Sequence, residues 1–159
     1  HQNILGSAPG WEDLGTGGIV DIANPERKLI AEVKNKHNTL NASGKAKIYE
    51  QLTNLVMPKG QQYRGYTAYY VEIIPKKAIR YDKPFTPSDA GSGTPKPTNG
   101  LIRQIDGYSF YALATGIADA LEQLFLALPD VIESCSNYAF HDRQFAIGFF
   151  KKAYSSTSK

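Results

Sequence analysis

The sequence predicts an α/β protein with a mixed central β-sheet flanked by helices, and three observations carry that reading. Two short β-prone runs, Ile19 to Ala23 and Lys28 to Lys34, flank an Asn24-Pro25-Glu26-Arg27 turn. Tyr66 to Ile74 is almost continuously apolar and rich in aromatic and β-branched residues, the pattern of a strand covered on both faces and central in its sheet. Gly44 to Met57 and Thr115 to Leu128 instead repeat their apolar residues at helical spacing.

Taken in order, Gly15, Gly17 and Gly18 separate an opening segment carrying Trp11 from the first strand, and the turn then leads into the second. Ala46, Ile48, Leu52, Leu55 and Val56 form the apolar face of the first helix, which Pro58-Lys59-Gly60 stops. Between residues 75 and 100 the composition turns to Pro84, Pro87, Pro95 and Pro97 with Gly91, Gly93 and Gly100, so a long irregular loop is expected there, without regular elements. Leu101 to Ile105 reads as a strand; Ser109 to Leu113, beyond Asp106-Gly107, reads as a paired strand or a helix start. Helices are expected over Thr115 to Leu128 and Phe140 to Lys152.

With 159 residues, 42% of them hydrophobic, the chain fills one domain spanning 1–159. Its longest apolar stretches fall short of the ~20 residues that cross a bilayer, and no basic-then-apolar leader precedes them, so no membrane partner is expected. A single cysteine, Cys135, offers no internal disulfide, which makes a reducing cytoplasmic compartment the default. The chain begins with His1, not Met, and a trimmed N-terminus is expected.

A net charge of +3 says little until it is resolved along the chain. Residues 27–96 carry 13 Lys and Arg against five acids, whereas residues 1–26 carry four acids and no base. A basic block of this kind suits a polyanion such as nucleic acid, or is simply a solvated face.

Alternation in the second strand puts Lys28, Ile30, Glu32 and Lys34 on one face and Leu29, Ala31 and Val33 on the other. A hairpin closing through Asn24-Pro25 brings Asp21 beside Glu32, so two carboxylates and a lysine converge. Asp21, Glu32 and the backbone carbonyl of Val33 can supply oxygen ligands to Mg²⁺, with Lys34 placed to orient or deprotonate a water and offset charge building on a phosphate. A charged surface hairpin gives the same spacing, so the pattern gains weight only from its surroundings.

Those surroundings are Gly10 to Gly15 (GWEDLG), Ile30 to Thr39 (IAEVKNKHNT), Tyr66 to Val71 (YTAYYV) and Arg80 to Asp89 (RYDKPFTPSD). With Asp21, ten residues, then Glu32-Val33-Lys34, they resemble a family of type II restriction endonucleases of the PD-(D/E)XK superfamily that recognise GGNCC-type sites. The resemblance runs roughly from Gln2 to Ile132. It implies a restriction-endonuclease-like core and Mg²⁺-dependent cleavage of double-stranded DNA at a short palindrome, leaving 5′-phosphate ends. Asp21 and Glu32 then match the metal carboxylates and Lys34 the catalytic lysine. Val20 stands where the superfamily name has Pro.

Around this centre, the polar run Asn35, Lys36, His37 and Asn38 is expected to contact DNA. Glu12 is a candidate third carboxylate, although a surface charge is the favoured role, and Gln51 is a candidate for facing the metal site from the helix. Arg64, Lys76, Lys77, Arg80, Lys83 and Arg103 are the candidate phosphate and guanine contacts. Tyr66, Tyr69 and Tyr70 are expected in the sheet core. A palindromic target is read most simply by a homodimer. Two other readings compete, a repair or junction-resolving nuclease on the same fold and a non-catalytic DNA-binding module. Two acids aimed at a phosphate repel it unless a cation intervenes, which counts against a pure binder.

Overall fold

The computed structural model describes residues 1–154 other than 16, 90, 137 and 138. Six strands form one mixed sheet: β1 (Glu12–Asp13), β2 (Ile22–Asn24), β3 (Leu29–Lys36), β4 (Thr67–Ile74), β5 (Asp82–Pro84) and β6 (Ile102–Asp106), in the spatial order β1-β2-β3-β4-β6-β5. β3, β4 and β6 run parallel; β1, β2 and β5 pair antiparallel at the two sides. The helices are α1 (Gln2–Gly6), α2 (Ala42–Val56), α3 (Gly107–Thr115), α4 (Ala120–Cys135) and α5 (Arg143–Tyr154).

The β2–β3 hairpin forms as its turn chemistry requires. Asn24 Oδ1 accepts from the Arg27 N–H at 2.9 Å, and Lys28 takes the left-handed conformation, φ 54°, that closes the turn. β4 is central, with six consecutive buried residues, because α2 covers one face of the sheet and α1, α3 and α4 the other. On the α2 side Ile30, Tyr49, Leu52, Tyr70 and Ile102 pack together; on the opposite side Ile22, Ala31, Tyr69, Phe110 and Phe125 do so. Asn41 caps α2 by accepting from Gly44 N–H at 2.8 Å, a structural use of that polar residue. Gly107 starts α3 hard against β4, where an added Cβ would lie 2.6 Å from both Cα and O of Ile73, so only glycine permits this approach.

Two expectations need correction. The stretch 75–100 contains β5, which extends the sheet beyond β6, and its Phe85 is buried, stacked on Tyr70 with ring centroids 4.6 Å apart. The expected Thr115–Leu128 helix begins only at Ala120, because Gly116 ends α3 in the left-handed conformation; Ser109 to Leu113 belongs to α3, the helix-start reading of that stretch. α1 and β1 were not anticipated at all. Tyr69 and Tyr70 lie in the core as expected, and Tyr66 is half-buried against Tyr63.

Candidate active site

The β2–β3 pairing matches Ile22 with Ala31, so Asp21, one step further, falls opposite Glu32. The Asp21 N–H donates to the Ala31 carbonyl at 2.9 Å, and its Oδ2 accepts from the Val33 N–H at 2.7 Å. These bonds hold Asp21 just before β2 begins, where β3 runs on past β2 and keeps only β4 as a neighbour. The N–H and C=O of one strand residue project to the same edge, so the Val33 carbonyl faces the same opening as the Asp21 carboxylate.

Glu32 is buried, and its Oε1 forms an ion pair with Lys34 Nζ. Burial pushes the Glu32 carboxyl up to about 7; the hydrogen bond from Lys34 opposes this, and the Asp21 charge and hydrogen bond reinforce it. Two carboxylates and a main-chain carbonyl are hard oxygen donors of the kind Mg²⁺ takes, which then keeps several waters. The donor set therefore fits the expected ion. Asp21, Glu32 and Lys34 are brought together as the sequence predicted.

Lys34 stands opposite Glu72 of β4 in the parallel register. Glu72 is a buried carboxylate that sequence reasoning missed. It accepts from Lys45 Nζ at 2.6 Å and, through its other oxygen, from Tyr81 Oη at 2.8 Å and Gln104 Nε2 at 2.9 Å. Its signal was present as a lone acid in the apolar run Tyr69-Tyr70-Val71-Glu72-Ile73-Ile74. Tyr70, one position back on the same face, places a buried hydroxyl with no hydrogen-bond partner beside Glu32 and Glu72. Lys34 and Glu72 lie toward the carboxyl ends of their parallel strands, the side on which α/β sheets receive their ligands.

The remaining candidates separate. Asn35, Lys36 and Asn38 are exposed at and beyond the end of β3, and His37 follows with its Nδ1 buried and unpartnered. Val33, Lys34 and Asn35 line one opening with His1 to Asn3 of the N-terminal segment. His37, Lys76, Lys77 and Lys83 line a second, together with Lys45 and Glu72. Glu12 is exposed on β1, and among the described residues no three acids, histidines or cysteines gather to hold a metal, so Glu12 does not join the pair. From α2, Lys45 reaches this end of the sheet through its bond to Glu72; Gln51 lies half-buried further along the same helix. Arg64 is exposed just before β4, at the opposite end of the sheet. Arg103 spends donors on the Asp82 side chain and carbonyl, and Arg80 packs over the Tyr108 ring.

Among the described residues, no single helix is long and apolar enough to cross a membrane. No solved structure matches the chain significantly. Residues 1–136 match the model of the Eco47II restriction endonuclease family. The chain is 48% identical to the type II restriction enzyme Eco47II of Escherichia coli over 97% of its own length and 67% of that enzyme's. It is 26% identical to the type II restriction enzyme Sau96I of Staphylococcus aureus, over 97% of its own length and 59% of that enzyme's. With its mixed sheet carrying Asp21, Glu32 and Lys34 at one end, the chain belongs to the Eco47II family of restriction endonucleases.

Proposed function

We propose that the chain is the nuclease unit of a type II restriction endonuclease that cuts double-stranded DNA, with Mg²⁺, at a short GGNCC-like palindrome to leave 5′-phosphate ends. The observation that carries this is the hairpin itself: Asp21 pinned to the Val33 N–H, Glu32 beside it, and Lys34 ion-paired with Glu32. Asp21, Glu32 and the Val33 carbonyl would hold the ion. Once bound, Mg²⁺ would polarise the phosphate and make a water more acidic. Lys34 orients the attacking water and offsets negative charge developing on the phosphate oxygens. Asn35, Lys36 and Asn38, exposed beside the lysine, contact the flanking backbone. A palindrome cut on both strands calls for a homodimer with one such site per strand, working in the cytoplasm as part of a restriction-modification system.

Plasmid digestion tests the proposal. Discrete fragments in Mg²⁺, abolished by EDTA, are the expected result. A smear would mean a nonspecific nuclease, and a band shift without cutting would mean a DNA-binding module. Light scattering that finds a monomer both with and without DNA would remove the dimer.

A further inference from the structure

We propose that the cleft between the end of β3, the start of α2 and residues 75–83 seats a backbone phosphate of the DNA next to the one that is cut. The assignment rests on duplex DNA being the substrate. The cleft has a volume of about 300 Å³ and opens one strand over from Lys34, across the Lys34–Glu72 pair. Its one lining acid, Glu72, is fully engaged by Lys45, Tyr81 and Gln104, donors from α2, the loop and β6. That buried knot fixes the floor and leaves no free carboxylate oxygen to repel an anion. Lys76, Lys77 and Lys83 line the walls, and none of them is in an ion pair with the described residues; the Lys83 ammonium lies only over the Tyr81 ring, at 5.2 Å.

His37 supplies the second observation. Its Nδ1 is buried with no partner, although its backbone N–H is satisfied by Ile74 O at 2.9 Å. A buried polar nitrogen without a partner is costly, and turning the His37 ring toward a phosphate in the cleft that the residue lines would relieve that cost. Three ammonium groups without an ion pair among the described residues, and an imidazole nitrogen without a partner, around a fixed polar floor are the complement of a phosphodiester. They are not suited to an apolar ligand or a cation.

The test is the anisotropy of a short fluorescein-labelled duplex in EDTA, measured across a salt series. Replacing Lys76, Lys77 and Lys83 together by Ala should weaken binding at least tenfold at low salt and make the log K against log[salt] slope shallower by about 1. His37→Ala should also weaken binding at low salt, because the phosphate loses its contact with the imidazole. A methylphosphonate scan should find one position per strand at which removing the phosphate charge weakens the wild type and has no further effect on the triple variant. Additive losses in that pair, or an equal slope change from Lys59→Ala at the far end of α2, would overturn the seat. If the wild type cuts DNA but lacks this coupling, the seat fails and the nuclease stands. If it shows the coupling but never cuts, the catalytic reading fails and the seat stands.

Discussion

Relative to wild type, Glu32→Gln should gain stability as the pH rises, an unusual outcome for removing an ion-paired acid. The Glu32 carboxyl moves from an ordinary value of 4.5 to about 7, chiefly through burial, with Asp21 adding to the rise. Its side chain is 8% exposed, so solvent screening discounts the effect little. Each unit is worth about 1.36 kcal/mol, so the full shift corresponds to about 3 kcal/mol. The sign follows from proton binding. Between about pH 4.5 and 7 the folded state keeps a proton that the unfolded chain has released, so raising the pH through this window lowers stability. The amide introduced by Glu32→Gln carries no such proton. Urea unfolding of both proteins in EDTA at pH 5 and pH 8 is the assay. The stability of Glu32→Gln relative to wild type should be about 2.5 kcal/mol more favourable at pH 8 than at pH 5, whatever the pH-independent cost of leaving Lys34 unpaired. Parallel pH profiles would refute the view that Glu32 is buried at the expense of its charge.

Other substitutions probe separate parts of the account. Asp21→Asn keeps an oxygen for the Val33 N–H and should leave circular dichroism unchanged while weakening Mg²⁺ binding at least tenfold by calorimetry; unchanged affinity would remove Asp21 from the metal site. Tyr70→Phe deletes a buried hydroxyl that has no hydrogen-bond partner, so its denaturation free energy should be unchanged or up to about 1 kcal/mol higher, and a clear loss would mean that the hydroxyl is satisfied. Gly107→Ala forces a methyl into the Ile73 backbone and should cost about 1–3 kcal/mol in thermal or urea unfolding; a neutral result would mean that α3 can move away from β4.

The site was legible where local rules decide the outcome. The turn at Asn24-Pro25 and the alternation along β3 determine register, and register alone sets Asp21 beside Glu32 and Lys34 on the same face as Glu32. Glu72 and Lys45 were not legible because their meeting depends on a parallel crossover that no local pattern specifies. An acid inside a strand buried on both faces nonetheless demands a partner, and that demand could have been read. The boundary between α3 and α4 was missed because apolar spacing continues past Gly116, whose left-handed conformation breaks the helix. β5 was hidden by its proline-rich surroundings, although Phe85 is the kind of residue that pulls a loop onto a core. Arg64 and Arg103 show the limit of reading basic residues from sequence. One is exposed before the start of β4, away from Lys34, and the other is bonded to Asp82.

Single-turnover cleavage of a duplex bearing a GGNCC-type site, comparing wild type with Lys34→Ala, tests the central claim most directly. DNA affinity and circular dichroism are measured on the same samples, and the cut ends are sequenced. Cleavage at one fixed position by the wild type, and a rate at least ~100-fold lower for Lys34→Ala with affinity and fold retained, is the expected result. Undiminished cleavage by Lys34→Ala would contradict the assignment of the Asp21–Glu32–Lys34 hairpin as the catalytic centre.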